Sequence, residues 1–406
     1  MKLIRTTGQE WQRLCSRQTT PKRHVEERVR AILSAVRQEG DQALLRFTRR
    51  FDGVSLTIKQ LRVAESEISG AFQHMDPNLA VHFKTAIQNV QAFYSRRHMK
   101  PLRIINDDGV LLAEKLDPIE RVGVYIPGGT ASLVSTVYMT VIPARQAGVK
   151  KIALATPPRS DGTVDPNILV MASLLHVDEI YKLGGAQAIG AFAYGTKTIP
   201  KVDKIVGPGN AYVVEAKRQV FGLVDLDTLA GPSEVAVIAN RYTNPQYVLA
   251  DLMGETEHAG GICFLITTSK ALAGVARKQI PSGYCILAKN LDEAAEIANQ
   301  LAPEHLQIMV RSPRKLLKRI RNAGAIFLGQ YSPVTVGDYI AGPSHVLPTG
   351  GAARIFSGLG VGDFIRRTHV ISYTKSALEK VREPLERLTA LEGLPRHFDS
   401  VKIRLS

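Results

Sequence analysis

The chain has 406 residues, of which 45% are hydrophobic and 22% charged, and this length allows two or more domains with cores of their own. It contains no run near the roughly 18 apolar residues that a membrane span needs, and its first residues lack the apolar block of a signal peptide. We therefore expect a cytoplasmic protein with no membrane partner.

The formal net charge of +15 makes nucleic acid a candidate partner, because clustered Lys and Arg neutralise phosphates. The basic residues are spread along the chain, however, and no helix-turn-helix, zinc-finger or RNP motif accompanies them. A basic surface around a site for an anionic dinucleotide explains the charge at least as well. We expect no nucleic-acid partner, although a basic nucleic-acid-binding protein remains an alternative class.

Two helices are predicted before residue 100. The first spans Val25 to Val36, where apolar residues share one face, and it ends at Gly40. The second runs from about Leu79 to Phe93 with a similar apolar stripe.

From residue 121 onward, short apolar runs that end in glycine or proline alternate with helical stretches such as 211–220. The runs are RVGVYIPGG, KIALATPP, EIYKLGG, DKIVGPGN and EVAVIAN. This alternation predicts parallel βαβ units in an open α/β sheet, whose ligand crevice lies at the carboxyl ends of the strands. The loops there carry Tyr125, Gln187 and Asn210. No GxGxxG motif follows a strand, so an NAD site would use another glycine-bearing loop.

A second α/β series is predicted from strand GICFLITT, a helix over 292–302, and strands LQIMV and AGAIFLG. The tail from about Ser376 has a helical pattern, breaks at Gly393 and Pro395, and ends in VKIRL, which is strand-like. The three cysteines form no CxxC pair, and Cys263 and Cys285 lie in apolar runs typical of buried structural thiols.

A candidate metal pair closes the predicted helix YVLADLMGETEH. Glu255 and His258 are three residues apart and share one helix face, a spacing by which a helix presents two ligands to one metal, whereas Glu257 points elsewhere. A solvated helix end with one incidental histidine is the alternative for this segment.

Further candidate groups lie nearer the C-terminus. Glu304 and His305 stand where a helix gives way to a strand, and both side-chain types suit general acid/base chemistry. The glycine-rich segment after residue 335 contains Asp338, His345 and Arg354, in a long loop of the kind that is usually functional. A zinc hydrolase without NAD would use the same Glu, His and Asp residues and remains a second alternative class.

His397, close to Glu392 in the tail, completes the candidate groups. Seven short sequence segments, in order along the chain, resemble the histidinol dehydrogenase family from about residue 25 to the end. The phrases are RVGVYIPGG, GGAQAIGAFAYGT, VDKIVGPGNAYV, AGPSEV, LAPEHL, GDYIAGPSHVLPTGGAARIFSGL and LEGLPRH.

The resemblance implies a role for each matching residue. The zinc ligands would be Glu255, His258, Asp338 and His397, and the catalytic pair would be Glu304 and His305. The residues that contact NAD would be Tyr125, Gln187 and Asn210. The substrate would contact Ser233 and Glu392 together with His305 and the four zinc ligands.

The resemblance also implies an α/β fold of two incomplete Rossmann-like domains with small terminal units, intertwined in a homodimer whose active sites are shared. The expected divisions are an N-terminal arm over 1–22, a first domain over 23–124 and 235–372, an NAD-binding domain over 125–234 and a C-terminal unit over 373–406. The implied activity is the zinc-requiring, NAD-dependent oxidation of L-histidinol to L-histidine through L-histidinal.

One position departs from the family pattern. Glu255 stands where the family has glutamine, in GETEH rather than a phrase like SQAEH. A carboxylate oxygen also binds zinc, but it adds a negative charge to the site. A related dehydrogenase that acts on another small amino or sulfo alcohol is therefore the alternative.

Overall fold

The computed structural model describes residues 1–16, 23–73, 75–97, 99–128, 133–258 and 260–406. The chain divides into a large unit, Met1–Arg96 with Glu120–Asp363, and a small unit, Arg97–Ile119 with Phe364–Ser406. No helix among the described residues is long and apolar enough to cross a membrane.

The fold contains the following elements. The strands are β1 (Lys2–Ile4), β2 (Arg103–Ile105), β3 (Leu111–Pro118), β4 (Arg121–Tyr125), β5 (Lys151–Thr156), β6 (Glu179–Lys182), β7 (Lys204–Val206), β8 (Asp225–Leu226), β9 (Glu234–Ala239), β10 (Ile262–Thr267), β11 (Tyr284–Leu287), β12 (His305–Met309), β13 (Ala325–Leu328) and β14 (Ile365–Ser372). The helices are α1 (Gln9–Cys15), α2 (Arg23–Glu39), α3 (Asp41–Phe51), α4 (Glu65–Gln73), α5 (Pro77–Ser95), α6 (Val134–Gln146), α7 (Pro166–Leu174), α8 (Gly185–Tyr194), α9 (Ala211–Val220), α10 (Pro245–Glu255), α11 (Lys270–Gln279), α12 (Leu291–Leu301), α13 (Pro313–Leu317), α14 (Val334–Tyr339), α15 (Lys375–Lys380), α16 (Arg382–Leu391) and α17 (Pro395–Leu405). Short 3₁₀ turns span Ile58–Leu61, Ala352–Arg354 and Val361–Phe364.

Two parallel sheets form the large unit. One has the order β1-β11-β10-β9-β12-β13 and the other the order β6-β5-β4-β7-β8. In each sheet the first strand of the series, β9 or β4, is central, and the chain then winds outward on both sides, as in half of a Rossmann fold. After a charged first residue, Arg121 in β4 and Glu234 in β9, the central strands are apolar because helices cover both faces of a parallel sheet. The predicted class of two incomplete Rossmann-like halves is confirmed.

Helices pack these sheets as their patterns predict. Val29, Leu33 and Val36 of α2 are buried against the core of the five-stranded sheet, and α2 ends before Gly40, whose φ of 58° favours glycine. The predicted second helix is α5, and the predicted helix over 211–220 is α9. Cys263 and Cys285 are buried free thiols whose pKa burial raises, so they are structural as expected.

The small unit holds the antiparallel sheet β14-β3-β2 and helices α15 to α17. The prediction that VKIRL forms a strand is wrong, because these residues belong to α17. Pro395 occupies the first turn of that helix, where its missing N–H and fixed φ favour a helix start.

The sheets also divide the chain differently from the expected boundaries. Residues 103–118, expected in the first Rossmann-like domain, contain β2 and β3, and β3 pairs with β2 on one side and with β14 on the other. The expected boundary at residue 125 cuts β4, all of which is the central strand of the five-stranded sheet. Residues 2–4 of the expected arm form the edge strand β1 of the six-stranded sheet. Residues 17–22 of that arm lie outside the described residues.

Candidate active site

The predicted acid–base pair lies at the beginning of a central strand of the six-stranded sheet. Glu304 precedes β12 and His305 is its first residue, and their side chains are buried. Helix α12 ends at Leu301, and the next residue, Ala302, has a left-handed conformation with φ of 46°, which turns the chain sharply toward the strand. The prediction that this pair stands at the start of a strand is confirmed.

Backbone groups of Glu234, the first residue of β9, orient both members of the pair. Glu304 Oε2 accepts a hydrogen bond from the Glu234 N–H at 3.0 Å, and His305 Nδ1 lies 3.2 Å from the Glu234 carbonyl oxygen. Because a carbonyl only accepts, Nδ1 carries the proton in the neutral ring. His305 Nε2 then has no hydrogen-bond partner among the described residues, and it lies 3.5 Å from Asp338 Oδ1. We infer that Nε2 is the atom available to exchange a proton with a ligand.

Burial and neighbouring charges set the pKa of each group. Burial raises the pKa of Glu304 to about 7, with His305 and the Glu234 N–H opposing that shift. Burial acts to lower the pKa of His305, but the carboxylates of Glu304, Asp338 and Glu255 outweigh it and raise that pKa to about 9. A carboxyl group that titrates near neutral pH suits a general acid or base.

The candidate metal residues lie near the same pair. Burial raises the pKa of Glu255, which His305, Ser233 and His258 oppose, so these groups lie within electrostatic reach of its carboxyl. Glu255 is 5% exposed, and its Oε1 has no hydrogen-bond partner in the described structure.

Helix α10 ends at Glu255, so the prediction that it extends through His258 is wrong. The N–H groups of Thr256, Glu257 and His258 each bond to the carbonyl three residues earlier, which forms a tighter turn after the helix. The His258 side chain is exposed.

The candidate metal ligands are of types that bind zinc, but their side chains are not grouped closely around one point. A buried carboxylate oxygen without a partner, a second carboxylate at Asp338 and an imidazole at His258 are ligands that zinc accepts. Within the described ranges, however, no three His, Cys, Asp or Glu side chains are grouped closely enough to hold a metal ion. His397 and Glu392 belong to the small unit, where both are exposed.

His345 connects the glycine-rich segment to helix α6. Its Nδ1 lies 2.8 Å from the Asp338 carbonyl oxygen, and its Nε2 lies 3.2 Å from the Thr136 hydroxyl. Burial lowers the pKa of His345, so the ring is neutral at physiological pH. We infer that His345 holds the backbone that carries the Asp338 carboxylate.

The candidate groups of the six-stranded sheet lie at the amino ends of its strands. Ser233 precedes β9, Glu255 and His258 precede β10, and Glu304 precedes β12, which begins at His305. The expected crevice at the carboxyl ends of parallel strands therefore does not describe this sheet.

The five-stranded sheet follows the expectation, because a cavity of about 1250 Å³ lies at the carboxyl ends of β4 to β7. Tyr125, Gln187 and Asn210 all line it, as predicted for residues at these strand ends. The Tyr125 hydroxyl accepts the Gly185 N–H at 3.0 Å, and Asn210 caps α9 through the Tyr212 and Val213 N–H groups.

Gln187 is 1% exposed, and neither atom of its amide has a hydrogen-bond partner in the part of the chain that the structure describes. Such an amide fits a polar ligand in the cavity. A buried ion pair supports the Asn210 loop, because Lys217 Nζ lies 2.7 Å from Asp227 Oδ1 while Asp227 Oδ2 accepts the Gly207 N–H. The cavity is large enough and polar enough for a dinucleotide.

Sequence reasoning missed two residues that the fold brings into these sites. Glu234 begins a strand predicted as purely structural, but its backbone orients the acid–base pair. Asp52 follows α3, far from the predicted crevice in sequence, yet it lines the cavity. A charged residue at the beginning of an otherwise apolar run was the only sequence signal for Glu234, and none marked Asp52.

Comparison with known proteins gives a consistent result. A histidinol dehydrogenase family model matches residues 15–405. Histidinol dehydrogenase from Listeria monocytogenes is 45% identical over 94% of this chain and 93% of its own length, and histidinol dehydrogenase 2 from Nostoc sp. is 44% identical over 98% and 96%. The crystal structure of histidinol dehydrogenase from Elizabethkingia anophelis superposes with a TM-score of 0.92 at 34% identity, covering 100% of this chain and 98% of that one.

Proposed function

Since this chain belongs to the histidinol dehydrogenase family, whose members are oxidoreductases, we propose that it oxidises L-histidinol to L-histidine through L-histidinal, with NAD and zinc. The observation that carries the proposal is the buried pair Glu304 and His305, held by Glu234 with His305 Nε2 unpartnered. An alcohol oxidation needs such a base for the hydroxyl proton.

NAD and zinc would bind at separate sets of residues. Tyr125, Gln187 and Asn210 would contact NAD in the cavity of the five-stranded sheet. Glu255, His258 and Asp338, with His397, would hold zinc. When bound, NAD supplies the acceptor for hydride, and zinc supplies a Lewis acid that orients the substrate's nitrogen atoms.

The residues of this chain would move the protons. Because its pKa is raised to about 9, His305 holds a proton on each ring nitrogen near neutral pH. Once Nε2 has released its proton, Nε2 takes the proton of the substrate hydroxyl as the alcohol is oxidised to the aldehyde. Glu304, whose pKa lies near 7, takes a proton from water as that water adds to the aldehyde, while His305 returns its proton to the aldehyde oxygen and is free to act as a base again. The resulting hydrate is oxidised to the acid, with His305 again accepting the hydroxyl proton. Ser233 and Glu392 would contact the substrate.

The homodimer with shared sites is part of this proposal. An apolar row crosses the small unit's sheet, because Ile104 is paired with Leu112 and Leu112 with Ile371. All three side chains are exposed. Exposed apolar residues in register suit a subunit interface, and a second subunit could then supply Glu392 and His397 to the site.

A different substrate is the second candidate, and Glu255 is the observation that favours it. Its carboxylate places a negative charge beside His305 where the family pattern has a neutral amide. A substrate with a different charge from histidinol would be preferred in that field.

The test is NADH formation from L-histidinol and from a panel of small amino and sulfo alcohols, with zinc and after chelation. Zinc-dependent formation of two NADH per histidinol supports the proposal. NADH formation only from another alcohol would favour the second candidate. The absence of NADH with every alcohol, with binding of arbitrary DNA or hydrolysis instead, would contradict both.

A further inference from the structure

The cavity of the five-stranded sheet contains a carboxylate that the mechanism does not use. Asp52 directly follows α3 as its capping residue, and its side chain lines the cavity together with Tyr125 and Gln187. Its Oδ2 is buried and has no hydrogen-bond partner among the described residues. Buried polar atoms are normally paired, so an unpaired carboxylate oxygen in a cavity indicates a ligand that donates hydrogen bonds.

The position of Asp52 in the fold indicates which part of a ligand it meets. In a Rossmann half, an acidic residue at the end of the second strand binds the ribose hydroxyl of the dinucleotide. The second strand here is β5, and the loop that follows begins with Pro157, Pro158 and Arg159. Its two carboxylates lie further along: Asp161 is outside the cavity, and Asp165 lines the cavity but accepts the Asn167 N–H as the cap of α7.

Asp52 reaches this place from another part of the chain. A Cβ atom on Gly184, after β6, would lie 3.2 Å from Asp52 Oδ1 and 2.7 Å from the Pro157 side chain. The glycine therefore lets the carboxylate lie against the ends of β5 and β6. Asp52 takes the place that an acid on the second strand has in an ordinary Rossmann half.

The surrounding charges leave this carboxylate free to accept hydrogen bonds. Arg46, Arg50 and Arg159 also line the cavity. Burial is nevertheless the one cause that raises the pKa of Asp52, to about 6, and no guanidinium lowers it. A donor without charge, such as a sugar hydroxyl, would satisfy the carboxylate, whereas a phosphate in the same place would be repelled.

We propose that Asp52 binds the 2′-hydroxyl of the adenosine ribose of NAD and thereby selects NAD over its 2′-phosphorylated form. The inference rests on the NAD site proposed above. It makes Asp52 a specificity residue of the cofactor site with no part in proton transfer.

The test is equilibrium binding of NAD, NADP and 2′-deoxy-NAD to the full-length protein, measured by calorimetry. We expect the wild type to bind NAD more tightly than the other two. Asp52→Asn should weaken NAD binding about tenfold, as for loss of a hydrogen bond to a charged group. It should also bring the affinities for NAD and NADP closer together. Binding of 2′-deoxy-NAD should not change, because the hydroxyl is already absent.

Asp161→Asn is the matched control, because it removes the same charge from the loop after β5 outside the cavity and should leave all three affinities unchanged. If Asp52→Asn does not fold by circular dichroism, Asp52→Ser takes its place. Equal weakening of NAD and 2′-deoxy-NAD, or tight NADP binding by the wild type, would overturn the assignment alone. No binding of NAD by the wild type would overturn the proposed function as well.

Discussion

The substitution Glu304→Gln separates the two halves of the proposed reaction. Glutamine keeps an oxygen that can accept the Glu234 N–H, now accepted by Glu304 Oε2 at 3.0 Å, but it cannot take a proton from water. We expect oxidation of the aldehyde to slow by about 10²- to 10⁴-fold, the usual contribution of a general base. In this variant the rate of alcohol oxidation should change much less. His305→Asn, by contrast, should slow the alcohol oxidation.

The same substitution should change stability in a pH-dependent way. The buried Glu304 carboxyl has a pKa of about 7, against 4.5 for the free side chain. Between those values the folded protein keeps a proton that the unfolded chain releases, so the stability of the wild type falls as pH rises. The loss amounts to about 3 kcal/mol above pH 7. Glutamine does not titrate, so the free energy of unfolding of the variant should rise relative to that of the wild type by up to this amount as pH increases.

Two assays check this prediction. Single-turnover NADH formation from histidinol and from histidinal measures the two halves, and urea unfolding between pH 5 and 8 measures stability. Asp363→Asn is the control, because burial also raises the pKa of that carboxyl and it lies outside the site. Equal losses in both halves, or a stability difference between Glu304→Gln and wild type that is constant with pH, would refute the reasoning.

Three further predictions concern the metal and the dimer. His258→Ala should lose bound zinc, whereas Glu257→Ala should keep it, and full zinc in both by elemental analysis would contradict the ligand assignment. Glu255→Gln should keep zinc, because an amide oxygen also binds it, and should alter substrate preference or pH profile; a zinc-free variant would show this to be wrong. When the inactive variants His258→Ala and His397→Ala are mixed, each hybrid dimer should have one intact site and therefore up to about half the activity of a wild-type dimer. No recovery, with subunit exchange shown by native gels, would place His397 in its own chain's site.

Local patterns predicted much of the fold. The apolar runs after residue 121 predicted the parallel strands, because a strand covered by helices on both faces is apolar along most of its length. Glycine and proline at the run ends predicted where the loops lie. The same reasoning failed for VKIRL, whose alternation fits a strand: in α17 Val401 and Leu405 share one side of the helix, and Ile403 lies exposed on the other.

The candidate chemical groups were also predicted from sequence, but their arrangement was not. Ordered phrases identified Glu304, His305 and Asp338, whose side-chain chemistry is fixed by residue type. The contact of Asp338 with His305 depends on residues far apart in the chain, and so does the support of His305 by Glu234. Their pKa values depend on burial, which no local pattern specifies.

Sequence by itself determined which strands, helices and reactive side chains this protein has, because those follow from periodicity and residue type. Tertiary structure alone decided that the acid–base pair lies at the amino ends of one sheet while the cavity lies at the carboxyl ends of the other. It also brought Asp52 beside Gly184 across 132 positions of the chain. Such contacts are set by how sheets and helices pack, and packing depends on the shape of the whole core rather than on any short segment.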